Sequence, residues 1–79
     1  MRRYTVLLYP EEGKYTALIP AFGALATYGD TVEHALAMAQ DAIELVASSM
    51  LEDGEEIPDE DPPPIVAAVE ARVPIAAPA

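Results

Sequence analysis

The chain has 79 residues, a net charge of −10 and no cysteine. This length predicts one small domain, and the negative charge disfavours direct binding to DNA or RNA. The lack of cysteine excludes disulfides, zinc–thiolate sites and cysteine nucleophiles, and it fits a reducing cytoplasm. No apolar run approaches the roughly 20 residues that a membrane-spanning helix needs, so no membrane contact is predicted.

The first third of the chain predicts an antiparallel meander. Three segments have the β-branched and aromatic composition of strands: residues 4–9, 14–19 and 25–28. Pro10-Glu11-Glu12-Gly13 predicts a turn, and so short a loop makes an antiparallel hairpin the default. A loop at 21–24 follows Pro20, and Phe22 is expected to close one end of the core.

The longest uninterrupted pattern is helical. Asp30 or Thr31 is suited to the N-cap position, and Asp30 with Glu33 has the spacing of a capping box. No glycine or proline interrupts the following run. Gly54 is placed to end the helix in a left-handed turn.

Apolar residues on this helix form two adjacent rows. The main row recurs at three- and four-residue steps: Val32, Leu36, Ala39, Ile43, Val46, Ala47 and Met50. The second row is Met38, Ala42, Leu45 and Ser49. Either a wide sheet covers both rows, or Met38 and Leu45 lie at a subunit or partner contact, or these two side chains are simply exposed.

The last third of the chain begins with an acidic, proline-rich linker at 55–64. Its prolines favour an extended, polyproline II-like and solvated path from the helix back to the sheet, with Ile57 as an anchor. Residues 65–73 predict a final strand, whose alternation places Ile65, Ala67, Val69, Ala71 and Val73 on one face. Residues 1–73 are thus expected to form a single domain, and 74–79 a flexible tail.

Together these elements predict an α+β fold. A three-stranded antiparallel β-meander carries one long helix packed on the sheet, and one further C-terminal strand completes it. Each element has one apolar face, and these faces bury one another.

Catalytic chemistry has little support in the sequence. His34 is the only histidine, and it falls on the polar face of the helix, away from Asp41 and Glu44, so no metal site is expected. The paired acids lie in turns or in the linker, where water keeps carboxylates solvated. We therefore predict no catalytic residue, no cofactor and no metal, and a protein that is not an enzyme.

The order of several short motifs resembles the HicB-like antitoxin family. The matching stretches are Tyr4-Thr5-Val6, Gly13-x-Tyr15-Thr16, Ile19-Pro20, Gly23, Gly29-Asp30-Thr31-x-Glu33-x-Ala35-Leu36 and Leu51-Glu52-Asp53-Gly54-Glu55-Glu56-Ile57-Pro58. They cover roughly residues 3–73. Each motif is weak alone, and their order and spacing are together fairly specific.

The resemblance implies a partial RNase H-like fold and a binding partner. Such antitoxins commonly bind and block HicA, a small basic toxin that cleaves mRNA. Many members also carry a C-terminal DNA-binding module, and this chain departs from that pattern because residues 74–79 leave no room for one. The chain therefore resembles a single-domain member of the family.

Two functions are compatible with these observations. In the first, the chain is a non-enzymatic antitoxin that neutralises a HicA-type toxin, with the acids of the linker contributing to binding: Glu55, Glu56, Asp59, Glu60 and Asp61. In the second, it is an orphan oligomeric scaffold or small-ligand-binding module of the same fold with no toxin partner. A homodimer or larger assembly is expected in either case, through a sheet edge or through Met38 and Leu45.

Overall fold

A computed structural model describes residues 1–76 of the chain. The elements in chain order are strand β1 (Leu7–Glu11), strand β2 (Lys14–Leu18), one turn of 3₁₀ helix (Pro20–Phe22), strand β3 (Ala26–Gly29) and helix α1 (Val32–Glu52). The three strands form an antiparallel sheet in the order β1-β2-β3, and α1 packs on one face of it, over β2 and β3. The predicted α+β fold with a meander and one long helix is confirmed.

The β1–β2 hairpin is tighter than the sequence predicted. Glu11 pairs with Lys14, so that only Glu12 and Gly13 form the turn. Both have positive φ angles, 28° and 78°, as in the two-residue turns that match the twist of a hairpin. The strand therefore includes Pro10, which an edge strand tolerates because no neighbour needs its missing N–H.

The first strand also begins later than predicted. Residues 4–6 precede β1, because its partner β2 ends at Leu18 and the chain then turns at Pro20. Alternate side chains of this stretch, Tyr4, Val6 and Leu8, nevertheless pack against the core.

Thr31 is the N-cap of α1, and its hydroxyl oxygen accepts a hydrogen bond from the backbone N–H of His34 at 3.0 Å. The predicted capping box between Asp30 and Glu33 is wrong. The His34 ring instead bonds the residue before the N-cap, since its Nδ1 accepts from the backbone N–H of Asp30 at 3.1 Å. His34 thus helps to start the helix.

The end of α1 is a Schellman motif, as the position of Gly54 predicted. Gly54 has a φ of 72°. Its N–H donates to the carbonyl of Leu51 at 3.2 Å, and the N–H of Glu55 donates to that of Met50 at 2.9 Å. This pair of bonds defines the motif and sets the direction in which the linker leaves the helix.

Gly29 joins the sheet to the helix at a very close approach. It is buried at the end of β3, and a Cβ placed there would lie 2.7 Å from the carbonyl carbon of His34 and from the Cα of Ala35. Because these are backbone atoms, they cannot move aside without moving the helix. Glycine at this position therefore allows the first turn of α1 to rest directly on β3.

The core is small and is built mainly from alanine. Four residues are fully buried: Ala17, Ile19, Ala35 and Ala39. Seven half-buried side chains surround them: Tyr4, Val6, Leu8, Tyr15, Phe22, Leu25 and Ile43. Phe22 packs edge-on against Tyr4, with ring centroids 5.1 Å apart, as expected for a residue that closes one end of the core.

The buried face of α1 lies between the two rows predicted from the sequence. Ala35 belongs to neither row and is fully buried, whereas Val32 and Leu36 from the main row are 41% and 43% exposed. Alanine at 35 and 39 brings the helix close to the sheet, and the larger side chains are then left at the margins of the contact.

The predicted strand at 65–73 is wrong for the single chain. Within the described residues, this stretch has no strand pairing, and its side chains are exposed. Strand composition is not sufficient here, because no sheet edge of the same chain lies beside the segment to accept its backbone hydrogen bonds. The predicted tail at 74–79 is exposed as far as residue 76, and residues 77–79 lie outside the described residues. None of the helices in the described part of the chain has the length and hydropathy that a membrane crossing needs.

Candidate functional site

The acidic part of the linker, residues 55–61, returns from the end of α1 to the start of the chain. Glu55, Glu56, Asp59 and Asp61 are exposed, whereas Glu60 is partly buried. Ile57 and Pro58 are also partly buried, in agreement with the prediction that Ile57 anchors the linker. The structure therefore presents four carboxylates to solvent along one short, tethered segment.

Hydrogen bonds tie this linker to residues 2–5, and we call these contacts the clasp. The guanidinium of Arg2 donates to the carbonyls of Ile57 and Pro58, both at 3.2 Å. The hydroxyl of Tyr4 donates to the Pro58 carbonyl at 2.6 Å. Because both partners on the linker are backbone carbonyls, the clasp holds its path without using the four exposed acids.

Glu60 completes the clasp through Thr5. The backbone N–H of Thr5 donates to both carboxylate oxygens of Glu60 at 3.0 Å, and the Thr5 hydroxyl donates to one of them at 2.8 Å. Hydrogen bonds to an ionised acceptor are stronger than neutral ones. The structure thus gives Glu60, predicted as a partner-binding acid, a role within the chain.

An apolar groove lies beside the clasp, between α1 and the stretch that leads into β1. Its apolar lining includes Met1, Tyr4, Val6, Leu36, Ile43, Ala47 and Ile57, and its polar lining residues are Arg2, Gln40 and Glu44. Its volume is about 530 Å³. The groove exists because α1 covers β2 and β3 and leaves the β1 side of the sheet open.

The second apolar row of the helix is open to solvent. Met38 is 38% exposed and Leu45 is 73% exposed. The sheet therefore does not cover both rows, and Leu45 is available to a partner on the flank of α1 opposite the groove.

The described residues, 1–76, contain no group of three histidine, aspartate or glutamate side chains that could hold a metal ion. His34 is exposed and its Nδ1 is engaged with the Asp30 N–H. The carboxylates of the linker face solvent or Thr5.

Over 59 aligned residues the chain is 39% identical to UPF0150 protein ssr1765 of Synechocystis sp.. The aligned stretch covers 73% of this chain and 75% of that protein. The chain belongs to the UPF0150 family. UPF0150 is a HicB-like family, so the resemblance inferred from the short motifs is supported at the level of the family. No protein-family model matches the sequence, and no solved structure matches it at a significant level.

Sequence reasoning on this UPF0150 protein located the acidic linker but missed the groove and the clasp. The groove joins residues from the start, middle and end of the chain, such as Val6, Leu36 and Ile57, which no local pattern connects. The sequence held a weak signal for the clasp, because Arg2, Tyr4 and Thr5 carry polar groups at the start of a predicted strand and the linker was predicted to return to the sheet.

Proposed function

We propose that this UPF0150 protein is a non-enzymatic antitoxin-type protein, which binds and neutralises a small basic, mRNA-cleaving toxin of the HicA type in the cytoplasm. The HicB-like family supports this proposal, and so does a net charge of −10. Such a charge attracts a basic partner and accelerates the encounter.

The observation that carries the proposal is the tethered acidic linker. Glu55, Glu56, Asp59 and Asp61 are exposed, while Arg2 and Tyr4 hold the backbone between them. A segment that is ordered before binding loses less conformational entropy when its partner arrives. Four carboxylates in a fixed path can therefore engage a basic surface at a lower cost than a free acidic tail.

Inhibition follows from competition for the same charges. An RNA-cleaving protein needs a basic surface to bind the phosphate backbone, and carboxylates are also hydrogen-bond acceptors for arginine and lysine. The linker occupies that surface, so the toxin cannot bind RNA while the complex persists.

The test uses a charge-matched pair of variants. One carries Glu55→Gln, Glu56→Gln, Asp59→Asn and Asp61→Asn, and the control carries Glu11→Gln, Glu12→Gln, Glu33→Gln and Asp41→Asn. Binding to a small basic protein encoded next to this chain's gene is measured by calorimetry, and growth rescue is measured after co-expression; the absence of such a gene would contradict the toxin pairing.

The linker variant should bind about 10- to 100-fold more weakly, since each exposed ion pair contributes roughly 0.2–1 kcal/mol. The control should change the affinity less, and raising the salt should weaken binding of the unmodified chain because exposed charges are screened over about 10 Å at 0.1 M. Equal losses in both variants would show that only net charge matters. A neighbour that does not arrest growth would contradict the toxin pairing.

A second candidate function is an orphan scaffold or small-ligand-binding module, and the apolar groove of about 530 Å³ favours it. Native mass spectrometry of the chain purified from its own cells distinguishes the two. A homo-oligomer that lacks a basic partner and retains a small apolar molecule supports the second candidate, and a stoichiometric complex with a basic protein supports the first.

A further inference from the structure

The C-terminal segment, residues 65–76, is the most apolar exposed part of the described chain. Five of its side chains are between 73% and 96% exposed: Ile65, Val66, Val69, Val73 and Ile75. They belong to a nine-residue stretch of strand composition and the residues after it. Exposed apolar surface of this extent marks an interaction site.

The segment also projects away from the rest of the chain. The molecule measures 56 × 29 × 22 Å with a radius of gyration of 16.4 Å, whereas a compact chain of this length has about 12 Å. Pro62, Pro63 and Pro64 precede the segment, and consecutive prolines favour a stiff polyproline II rod of about 3 Å per residue. Such a rod directs the segment outward and keeps it from folding back on its own sheet.

The body of the protein has a free strand edge with an apolar groove beside it. β1 is an edge strand, and the groove beside it is lined by Val6, Leu36 and Ile43. Pro10 has no N–H to offer, so a new strand would pair with the part of β1 that precedes it. The edge supplies backbone hydrogen bonds and the groove accepts alternate side chains, which are the two requirements of strand addition.

We propose that two copies of this chain exchange their C-terminal segments. Residues 65–75 of each copy add to the free edge of β1 in the other, and the face with Ile65, Val69 and Val73 covers its groove. The exchange is reciprocal and closed, as in a two-fold dimer. It also gives the stretch at 65–73 the strand conformation that its sequence predicts.

The area available is that of a stable interface. Burying the four large side chains on that face, Ile65, Val69, Val73 and Ile75, removes on the order of 250–500 Å² of apolar surface per segment. Reciprocal exchange doubles this area and adds the surface of the receiving grooves, which reaches the roughly 1,200–2,000 Å² of specific complexes.

Charge also favours this segment as the contact. Residues 62–76 contain one acid, Glu70, and one base, Arg72, whereas the whole chain has a net charge of −10. Two copies repel each other elsewhere, so contact through a neutral segment avoids bringing acids together. Dimerisation by exchange should therefore be unchanged or strengthened by salt, in contrast to the binding of a basic toxin.

The first experiment compares Val69→Asp with the control Ala68→Asp, which adds the same charge to the opposite face. Sedimentation equilibrium of the full chain measures the dimer dissociation constant. Val69→Asp should raise it by about 10-fold or more, because an unpaired charge would enter an apolar groove, while Ala68→Asp should change it less. A monomeric unmodified chain at high micromolar concentration, or equal effects of the two variants, would overturn the proposal.

The second experiment identifies the receiving surface and uses the absence of native cysteine. A Val69→Cys chain is mixed under mild oxidation with a Leu36→Cys chain of different mass, and in parallel with a Met38→Cys chain. Leu36 lines the groove and Met38 lies on the opposite flank, at similar exposure. The exchange predicts faster cross-linking to Leu36→Cys.

Preference for Met38→Cys would place the contact on the other flank and overturn the proposal. A chain that carries both Val69→Cys and Leu36→Cys adds a further check. An intrachain disulfide in monomers would show that the segment returns to its own groove, which also overturns exchange. None of these outcomes depends on whether a toxin partner exists.

Discussion

The packed body, residues 2–60, and the C-terminal segment, residues 65–76, both contain stretches of strand composition but have different structures. Isoleucine, valine and alanine make up nine of the twelve residues of the segment, yet only the body folds into a sheet. In the body, the turn at Glu12-Gly13 and the close approach at Gly29 bring apolar faces together. The segment has no such connection, since prolines separate it from the linker, and its apolar side chains stay exposed.

The comparison shows that a strand requires a partner as well as the right side chains. A backbone that is extended but unpaired must satisfy its N–H and C=O groups with water. The strand propensity of residues 65–73 is therefore realised only where another edge is available, and the edge of β1 in a second copy meets that requirement.

The body itself has a modest core. Its four buried residues include three alanines, each of which buries little area, and a chain of this size removes only about 60–65% of its unfolded surface from water. The contacts of Ile19, those of Gly29 and the hydrogen bonds of the clasp should therefore each contribute a large fraction of the free energy of unfolding.

The two regions should differ most in how much stability is lost when an isoleucine is truncated to alanine. Ile19→Ala should lower the free energy of unfolding by about 3–4 kcal/mol, because Ile19 is fully buried and its truncation leaves a cavity. Ile75→Ala should cost less than about 0.5 kcal/mol in the monomer, since Ile75 is 96% exposed. Urea denaturation at low protein concentration measures both. A comparable loss for Ile75→Ala would mean that the segment packs on its own body.

Gly29→Ala should have the next largest effect and should lower the free energy of unfolding by about 2–3 kcal/mol. The added methyl group would overlap the backbone of His34 and Ala35, and overpacking against atoms that cannot move is costly. Gly54→Ala is the control, because Gly54 has a positive φ but open space around it, and should cost about 1 kcal/mol. Thermal unfolding followed by circular dichroism ranks the two, and the reverse order would contradict the close approach of α1 to β3.

Ile43→Ala should lower the free energy of unfolding by about 2 kcal/mol, at the low end for such truncations because Ile43 is only partly buried. Asp41→Ala on the solvent side of the same helix should change it by less than about 0.5 kcal/mol. Chemical denaturation of the two variants checks the rotation of α1. Equal effects would show that the helix is turned differently on the sheet.

The smallest expected loss of stability is at the clasp, which lies beside the junction between the two regions. Glu60→Ala removes the acceptor for the N–H and hydroxyl of Thr5 and should destabilise the chain by about 1 kcal/mol, less than a buried charged hydrogen bond because the site is partly open to water. Asp59→Ala is the control and removes an exposed acid of equal charge. Hydrogen exchange at Thr5 should accelerate in the first variant alone, and unchanged exchange would argue against the clasp.

Much of the body could be predicted because its signals are local. The alternation in 14–19, the glycine at 54 and the unbroken helical run depend on neighbours within a few residues. The acidic linker was also visible as a run of acids and prolines. The hydrogen-bond partner of Glu60 could not be predicted, since Thr5 lies 55 residues away along the chain.

The sequence by itself determined the order and type of the elements in the body, the end of α1 at Gly54 and the acidic character of the linker, because caps, turns and periodicity act over short distances. Tertiary structure alone decided that Ala35 faces the sheet while Val32 and Leu36 lie at its margins, that Glu60 belongs to the clasp and that residues 65–73 have no strand partner within their own chain. These outcomes depend on which surfaces come together in space, and the close approach that alanine and glycine permit determines how the helix and sheet meet.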